Sequence, residues 1–271
     1  MKFALVALLF VGLGAASAHV NRLPLPKAIQ ALHPELLAEP LFEHERIVGG
    51  VNAVAGEAKH QIGLFRSGSF SCGGSLIQPN VVLTAAHCVD GSETRPSIFT
   101  IRYGSLKQTG GTLVNVKKIN KHEKYSSSTI DNDVAILVLS ASISPSDNAG
   151  IISLTASAPA AGTKVTVTGW GRTSAGGSLP ADLKKADQLV VKSQQDCQSA
   201  WGSVNAITAQ MLCAHDKQQS ACNGDSGGPL TLNGVLVGVV SWGSSQCRHD
   251  VYPNVYANVA TLRTWILNNQ S

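Results

Sequence analysis

The chain has 271 residues and a formal net charge of +4, with 14% charged residues, 5% aromatics and 26 glycines. So few charges exclude a disordered polyelectrolyte, and the glycine content suits a turn-rich β protein better than a helical bundle. A globular part of this size buries roughly 70 to 75 per cent of its unfolded surface, so one large or two small domains can each form a core.

The first elements are not part of that core. Lys2, the apolar run Phe3 to Leu13 and the small residues Ala16-Ser17-Ala18 read as an export signal over residues 1–18, cut after Ala18. No later stretch approaches about twenty uninterrupted apolar residues, so a soluble, secreted, extracellular product without a membrane anchor is expected. Residues 19–46 carry Pro24, Pro26, Pro34 and Pro40 and no glycine, and end on Arg46, the pattern of a pro-segment.

From Ile47 onward, short β-type runs recur at turn-length spacing: Gly63 to Phe65, Val81 to Thr84, Val134 to Leu139 and Val165 to Thr168. Lys117, Lys118, Lys121 and Lys124 lack interleaved aromatics and read as a solvated face, so no nucleic-acid partner is expected. The small, turn-prone stretch Ser153 to Gly162 divides the remainder into halves of about 110 residues, a common domain size. The first half runs to about 154 and the second from about 155 to 271. In the second, Asn233-Gly234 between Leu230-Thr-Leu and Val-Leu-Val predicts a hairpin with a type I′ turn. Val259, Leu262, Trp265 and Ile266 recur at helical spacing behind Asn258, which predicts one closing amphipathic helix. Asn269-Gln-Ser271 is formally a glycosylation triplet.

Six cysteines lie between Cys72 and Cys247, and none forms a C-x-x-C pair. In an exported protein an even count implies disulfides rather than metal ligands. Spacing alone leaves their connectivity open, although Cys72 and Cys88 bracket a segment that a hairpin could close.

Three segments carry chemistry. Gly224-Asp225-Ser226-Gly227-Gly228-Pro229 sets a serine among glycines, which permit a sharp turn that exposes the hydroxyl and aims amide hydrogens at one spot. Thr84-Ala85-Ala86-His87-Cys88 places a histidine after an apolar strand, with small neighbours that leave the imidazole room. Asp131-Asn132-Asp133 opens the apolar run Val134 to Leu139, where a buried carboxylate needs a donor. A nucleophile, a base and a group that orients the base are the parts a covalent hydrolase requires.

With Ile47-Val48-Gly49-Gly50 and Ser241-Trp242-Gly243, these segments stand in the order found in chymotrypsin-like serine proteases of the trypsin superfamily, which the chain resembles over nearly all of residues 47–271. The resemblance implies an all-β fold of two antiparallel six-stranded β-barrels with a C-terminal α-helix. It makes Ser226 the nucleophile, His87 the general base and acid, and Asp133 its orienting partner, with the amides of Gly224 and Ser226 as the oxyanion hole. It implies a zymogen cut between Arg46 and Ile47, whose new ammonium pairs with Asp225. It also implies the disulfides Cys72–Cys88, Cys197–Cys213 and Cys222–Cys247. No cofactor is implied, and the absence of Asp and Glu from Ser97 to His122 argues against a calcium loop.

The resemblance implies a substrate pocket built from Ser220, Ser241, Trp242, Gly243 and Asn254. Trypsin-type members carry Asp six residues before the nucleophile, where this chain has the neutral Ser220. Gly243 leaves the pocket entrance open, as in chymotrypsin-type members, while Asn254 replaces a usual Gly and would narrow the pocket. The brachyurin-like crustacean collagenolytic members vary at this place too. The expectation is a digestive or tissue-degrading endopeptidase, monomeric, preferring bulky apolar residues. Its expected partners are protein or peptide substrates, a trypsin-like activating protease and protein inhibitors. The rival reading, a non-catalytic homologue acting as a binding protein, usually goes with loss of a triad residue, and none is missing.

Overall fold

The computed structural model describes residues 47–247 and 250–271. The expected export signal, the expected pro-segment and Arg46 lie outside these residues.

Six strands form the first barrel: β2 (Gln61–Arg66), β3 (Ser69–Gln78), β4 (Val81–Thr84), β5 (Phe99–Tyr103), β6 (Thr112–Lys121) and β7 (Ala135–Leu139). They pair antiparallel in the order β2-β3-β4-β7-β6-β5, and β5 returns to β2 to close the ring. Strand β7 reads Ala-Ile-Leu-Val-Leu and is buried at all five positions, so both of its faces are covered. This is why the run is continuously apolar rather than alternating. Ile62, Leu64, Leu83, Ile101 and Ile136 fill the interior with at most 1% exposure, each burial worth roughly 1.5 to 3 kcal/mol.

The second half contains β9 (Lys164–Gly169), β10 (Lys184–Val191), β11 (Met211–His215), β12 (Pro229–Leu232), β13 (Val235–Trp242) and β14 (Asn254–Asn258). The order β10-β11-β14-β13-β12-β9 is closed by a direct β10–β9 pairing, giving a second six-stranded antiparallel barrel. Its core includes Val165, Val167, Leu189, Leu230 and Tyr256. The β12–β13 hairpin turns at Asn233 and Gly234, with φ of 49° and 77°. Positive values at both central residues are what a type I′ turn demands.

Two short strands cross between the halves. β1 (Val51–Asn52) pairs antiparallel with β10, and β8 (Ser153–Leu154) pairs parallel with β13. Both fall before the boundary drawn at residue 154, yet both edge the second sheet.

The closing helix, α2 (Val259–Asn268), starts at Asn258, whose side chain accepts the Ala260 N–H at 3.2 Å. Its buried face, Val259, Leu262 and Ile266, joins a cluster that unites the first barrel's core with Leu236, Val239 and Ala257 of the second. Trp265 stacks on His122 at 4.6 Å and donates to Glu123 at 2.6 Å. The chain's last helix is thus a strap across the two barrels. A further helix, α1 (Gln194–Trp201), was not expected from the apolar pattern because only Cys197 and Trp201 are buried in it. Its Ser193 cap, which accepts the Asp196 N–H at 3.0 Å, was the available signal.

The disulfides join Cys72 to Cys88, Cys197 to Cys213 and Cys222 to Cys247, the three pairs implied by the resemblance. No helix among the described residues is long and apolar enough to cross a membrane.

Candidate active site

His87 sits in a 3-10 turn, Ala86–Cys88, directly after β4. Ala85 and Ala86 are fully buried, which anchors the turn and lets the imidazole reach outward. Asp133 stands at the entry to β7 and is 1% exposed. Its carboxylate meets three donors. His87 Nδ1 lies 2.7 Å from Oδ2, the His87 backbone N–H donates to Oδ1 at 2.9 Å, and Ser241 Oγ donates to Oδ2 at 2.5 Å. Three charge-assisted bonds offset the cost of burying the group. With the Nδ1 hydrogen donated to Asp133, His87 Nε2 is left as an acceptor.

Ser226 follows Gly224 and Asp225 on a turn whose glycines are required by shape. Gly224 has φ of +100°, and a Cβ there would sit 3.1 Å from both Gly171 Cα and Leu179 Cδ2. Gly227 has φ of +78°, and its Cβ would fall 2.2 Å from Thr84 Oγ1. The carbonyl of Ser226 accepts the Gly73 N–H at 2.8 Å, and Thr84 Oγ1 in turn donates to the Gly73 carbonyl at 2.8 Å. The first barrel therefore grips the serine carried by the second. Neighbouring amides are spent: Asp225 N–H on Cys222 O, Gly227 N–H on Val240 O and Gly228 N–H on Asp225 O. Those of Gly224 and Ser226 have no acceptor among the described residues, as an oxyanion hole requires.

Ser226, Gly224 and His87 line one cavity of about 320 Å³. No hydrogen bond joins Ser226 to His87 in this structure, and Nε2 lies 3.8 Å from Cys88 Sγ. Catalytic bonds of this kind commonly tighten only once substrate is bound. Cys72, His87 and Cys88 also lie close enough to suggest a metal trio. The two sulfurs are bonded to each other, so they are not the thiolates a metal needs.

Asp225 is fully buried, and its carboxylate accepts N–H bonds from Gly171 at 2.8 Å and Cys222 at 2.9 Å. Burial dominates and pushes its pKa up to about 7, while the two N–H donors pull it down. Ile47 is wholly buried in the second barrel's cluster. Val48 O accepts the Ser220 N–H at 3.1 Å, and Gly49 O accepts Gln219 Nε2 at 3.1 Å.

Ser220 is 4% exposed, and its hydroxyl donates to carbonyl oxygens of Cys247 and Ala221. Asn254 lies against Gly243, its Nδ2 only 2.7 Å from where a Cβ would stand. Trp242 is buried with its ring 4.9 Å from that of Trp201. Ser241, expected to line the pocket, donates its hydroxyl to Asp133. The support that Gly73 gives Ser226 is not legible in the sequence because it depends on how the two barrels meet, while Thr84 holds Gly73 from the neighbouring first-barrel strand.

Residues 47–266 match the family model described as Trypsin. The chain is 45% identical over 227 residues to "Trypsin alpha-4" of Lucilia cuprina, covering 83% of this chain and 88% of that protein. It is 44% identical over 226 residues to "Trypsin beta" of Drosophila erecta, with coverages of 83% and 88%. To "Trypsin alpha" of Drosophila melanogaster it is 42% identical over 225 residues, covering 82% and 87%.

Proposed function

Because the chain belongs to the trypsin family and is a serine endopeptidase acting on protein substrates, we propose that Ser226, His87 and Asp133 carry out its reaction. The observation that carries this reading is the 2.7 Å Asp133–His87 contact at the edge of the cavity that Ser226 and Gly224 line. His87 Nε2 takes the Ser226 proton as Oγ attacks the scissile carbonyl. The oxyanion meets the N–H groups of Gly224 and Ser226, and the protonated imidazole is stabilised by Asp133. His87 then gives the proton to the leaving amine, and water repeats the sequence to release the acyl group.

The chain is made as a secreted zymogen: residues 1–18 direct export and residues 19–46 are the pro-segment. Cutting after Arg46 gives Ile47 an ammonium, and the buried Asp225 carboxylate is the counter-charge it seeks. The Val48–Ser220 bond supports a direct mechanical link between that terminus and the pocket.

The preference is chymotrypsin-like, for bulky apolar side chains, in a monomeric digestive or tissue-degrading enzyme. Although its relatives bear the name trypsin, Ser220 offers no carboxylate to a basic side chain, and its hydroxyl is turned to carbonyls. Asn254 narrows the wall beside Gly243 and adds an amide, which makes the preference relaxed and leaves brachyurin-like breadth within reach. Cleaving the precursor at Arg46 and profiling the product on a peptide library tests all of this. Aromatic and large aliphatic residues should lead at the cleaved position; Arg and Lys leading would overturn the pocket assignment.

A further inference from the structure

The 320 Å³ cavity beside Ser226 shares no residue with the Ser220, Ser241–Gly243 and Asn254 wall. It runs instead along the Cys72–Cys88 bridge, Phe70 and Leu179, past His87, which protonates the leaving amine. With the acyl side chain on the Ser220 side of the nucleophile, this cavity receives the residues on the leaving-group side of the cut bond. Its charged lining is two arginines, Arg66 and Arg172, and contains no Asp or Glu.

Both guanidiniums are held in place. Arg66 Nη2 donates to Ser92 Oγ at 2.9 Å, and its Cζ lies 5.8 Å from the centre of the Phe99 ring. Arg172 is fixed at both ends, its backbone N–H on Asn223 O at 2.7 Å and its Nη1 on Gly177 O. Neither forms an ion pair among the described residues. The nearest acid along the chain from Ser92, Glu93, is engaged by Lys121. A guanidinium has five N–H donors and a permanent charge, so each fork keeps donors for a carboxylate. Phe70 and Leu179 lie beside Gly224 and supply apolar surface for the side chain's stem.

We propose that Arg66 and Arg172 make this enzyme select substrates with Asp or Glu in the first two positions after the cut bond. This specificity rests on the serine-protease reading above and adds to it. It also disfavours Lys or Arg there, since a like charge would face two guanidiniums in one cavity. Each arginine should contribute about 2- to 5-fold, the size of an exposed ion pair, and the effect should shrink with salt.

The test uses the enzyme cut at Arg46, with quenched peptides that share one acyl side and carry Glu, Ala or Lys in those two positions. A peptidyl p-nitroanilide with no amino acids beyond the cut bond serves as reference for each protein. Normalised to that reference, kcat/KM should rank Glu above Ala above Lys, with Glu over Lys about tenfold or more at low salt. Arg66→Ala and Arg172→Gln should each lower the Glu-to-Lys ratio by about 2- to 5-fold, and high salt should compress it. A ratio near one, or a ratio that neither variant changes, overturns the proposal. If the unmodified enzyme fails even on the p-nitroanilide, the nucleophile assignment falls and this inference falls with it.

Discussion

The backbone N–H of Ser220 donates to the carbonyl of Val48 at 3.1 Å, so the segment that begins at Ile47 is bonded to the residue at the base of the proposed pocket. Gly49 makes that docking possible, because its φ is +73° and a Cβ there would fall 2.0 Å from Gln218 O. Gly49→Ala should therefore cost on the order of 2 kcal/mol and displace the loop carrying Ser220. The expected outcome after cleavage is a kcat/KM at least about tenfold lower, with a reduced Tm. Wild-type turnover in that variant would disconnect the segment from the pocket.

Asp225 links acidity to stability. Its carboxyl rises from 3.8 to about 7 in the folded chain through burial. The native state therefore holds a proton that the unfolded chain releases between those values. The contribution is fully present below about pH 4 and is lost as pH rises through about 7. Chemical denaturation of the uncut precursor should show stability falling across that window. Asp225→Asn should be less stable overall, because one N–H donor loses its acceptor, but flatter with pH. An undiminished slope in Asp225→Asn would assign the effect to another group.

Removing charge from Asp133, the proposed orienting acid, should cripple the proposed base, His87. In Asp133→Asn the amide cannot accept from all three donors and favours the wrong imidazole tautomer, so kcat should fall by about 10⁴-fold, the size of this effect within the family. Ser241→Ala removes one donor from the same carboxylate and should cost about 1 kcal/mol, or roughly fivefold in kcat. Steady-state kinetics on the cleaved variants decide both. Equal losses in the two would contradict the division of roles.

How far the sequence revealed this molecule depended on the range of the interaction. Asn233-Gly234 and the Asn258 cap are local, and both appear where turn and capping chemistry put them. The continuous apolar run at β7 is likewise legible, since burial on both faces leaves no polar position. Helix α1 escaped because its polar surface hid the period, leaving only the Ser193 cap as a sign. Contacts between barrels were out of reach: Gly73 holding Ser226 and Ser241 reaching Asp133 join residues far apart in the chain. The pairing of Arg66 with Arg172 in one cavity belongs to the same class, as the two come from different barrels.

The central claim is that Ser226 is a nucleophile activated through His87 and Asp133. After cleavage at Arg46, a serine-directed organophosphate followed by peptide mass spectrometry should find one adduct, on Ser226, appearing in step with loss of peptidase activity. Ser226→Ala should take up no label and lose about 10⁶-fold in kcat while keeping its fold. Label on another residue, or peptidase activity in Ser226→Ala within tenfold of wild type, would contradict the account.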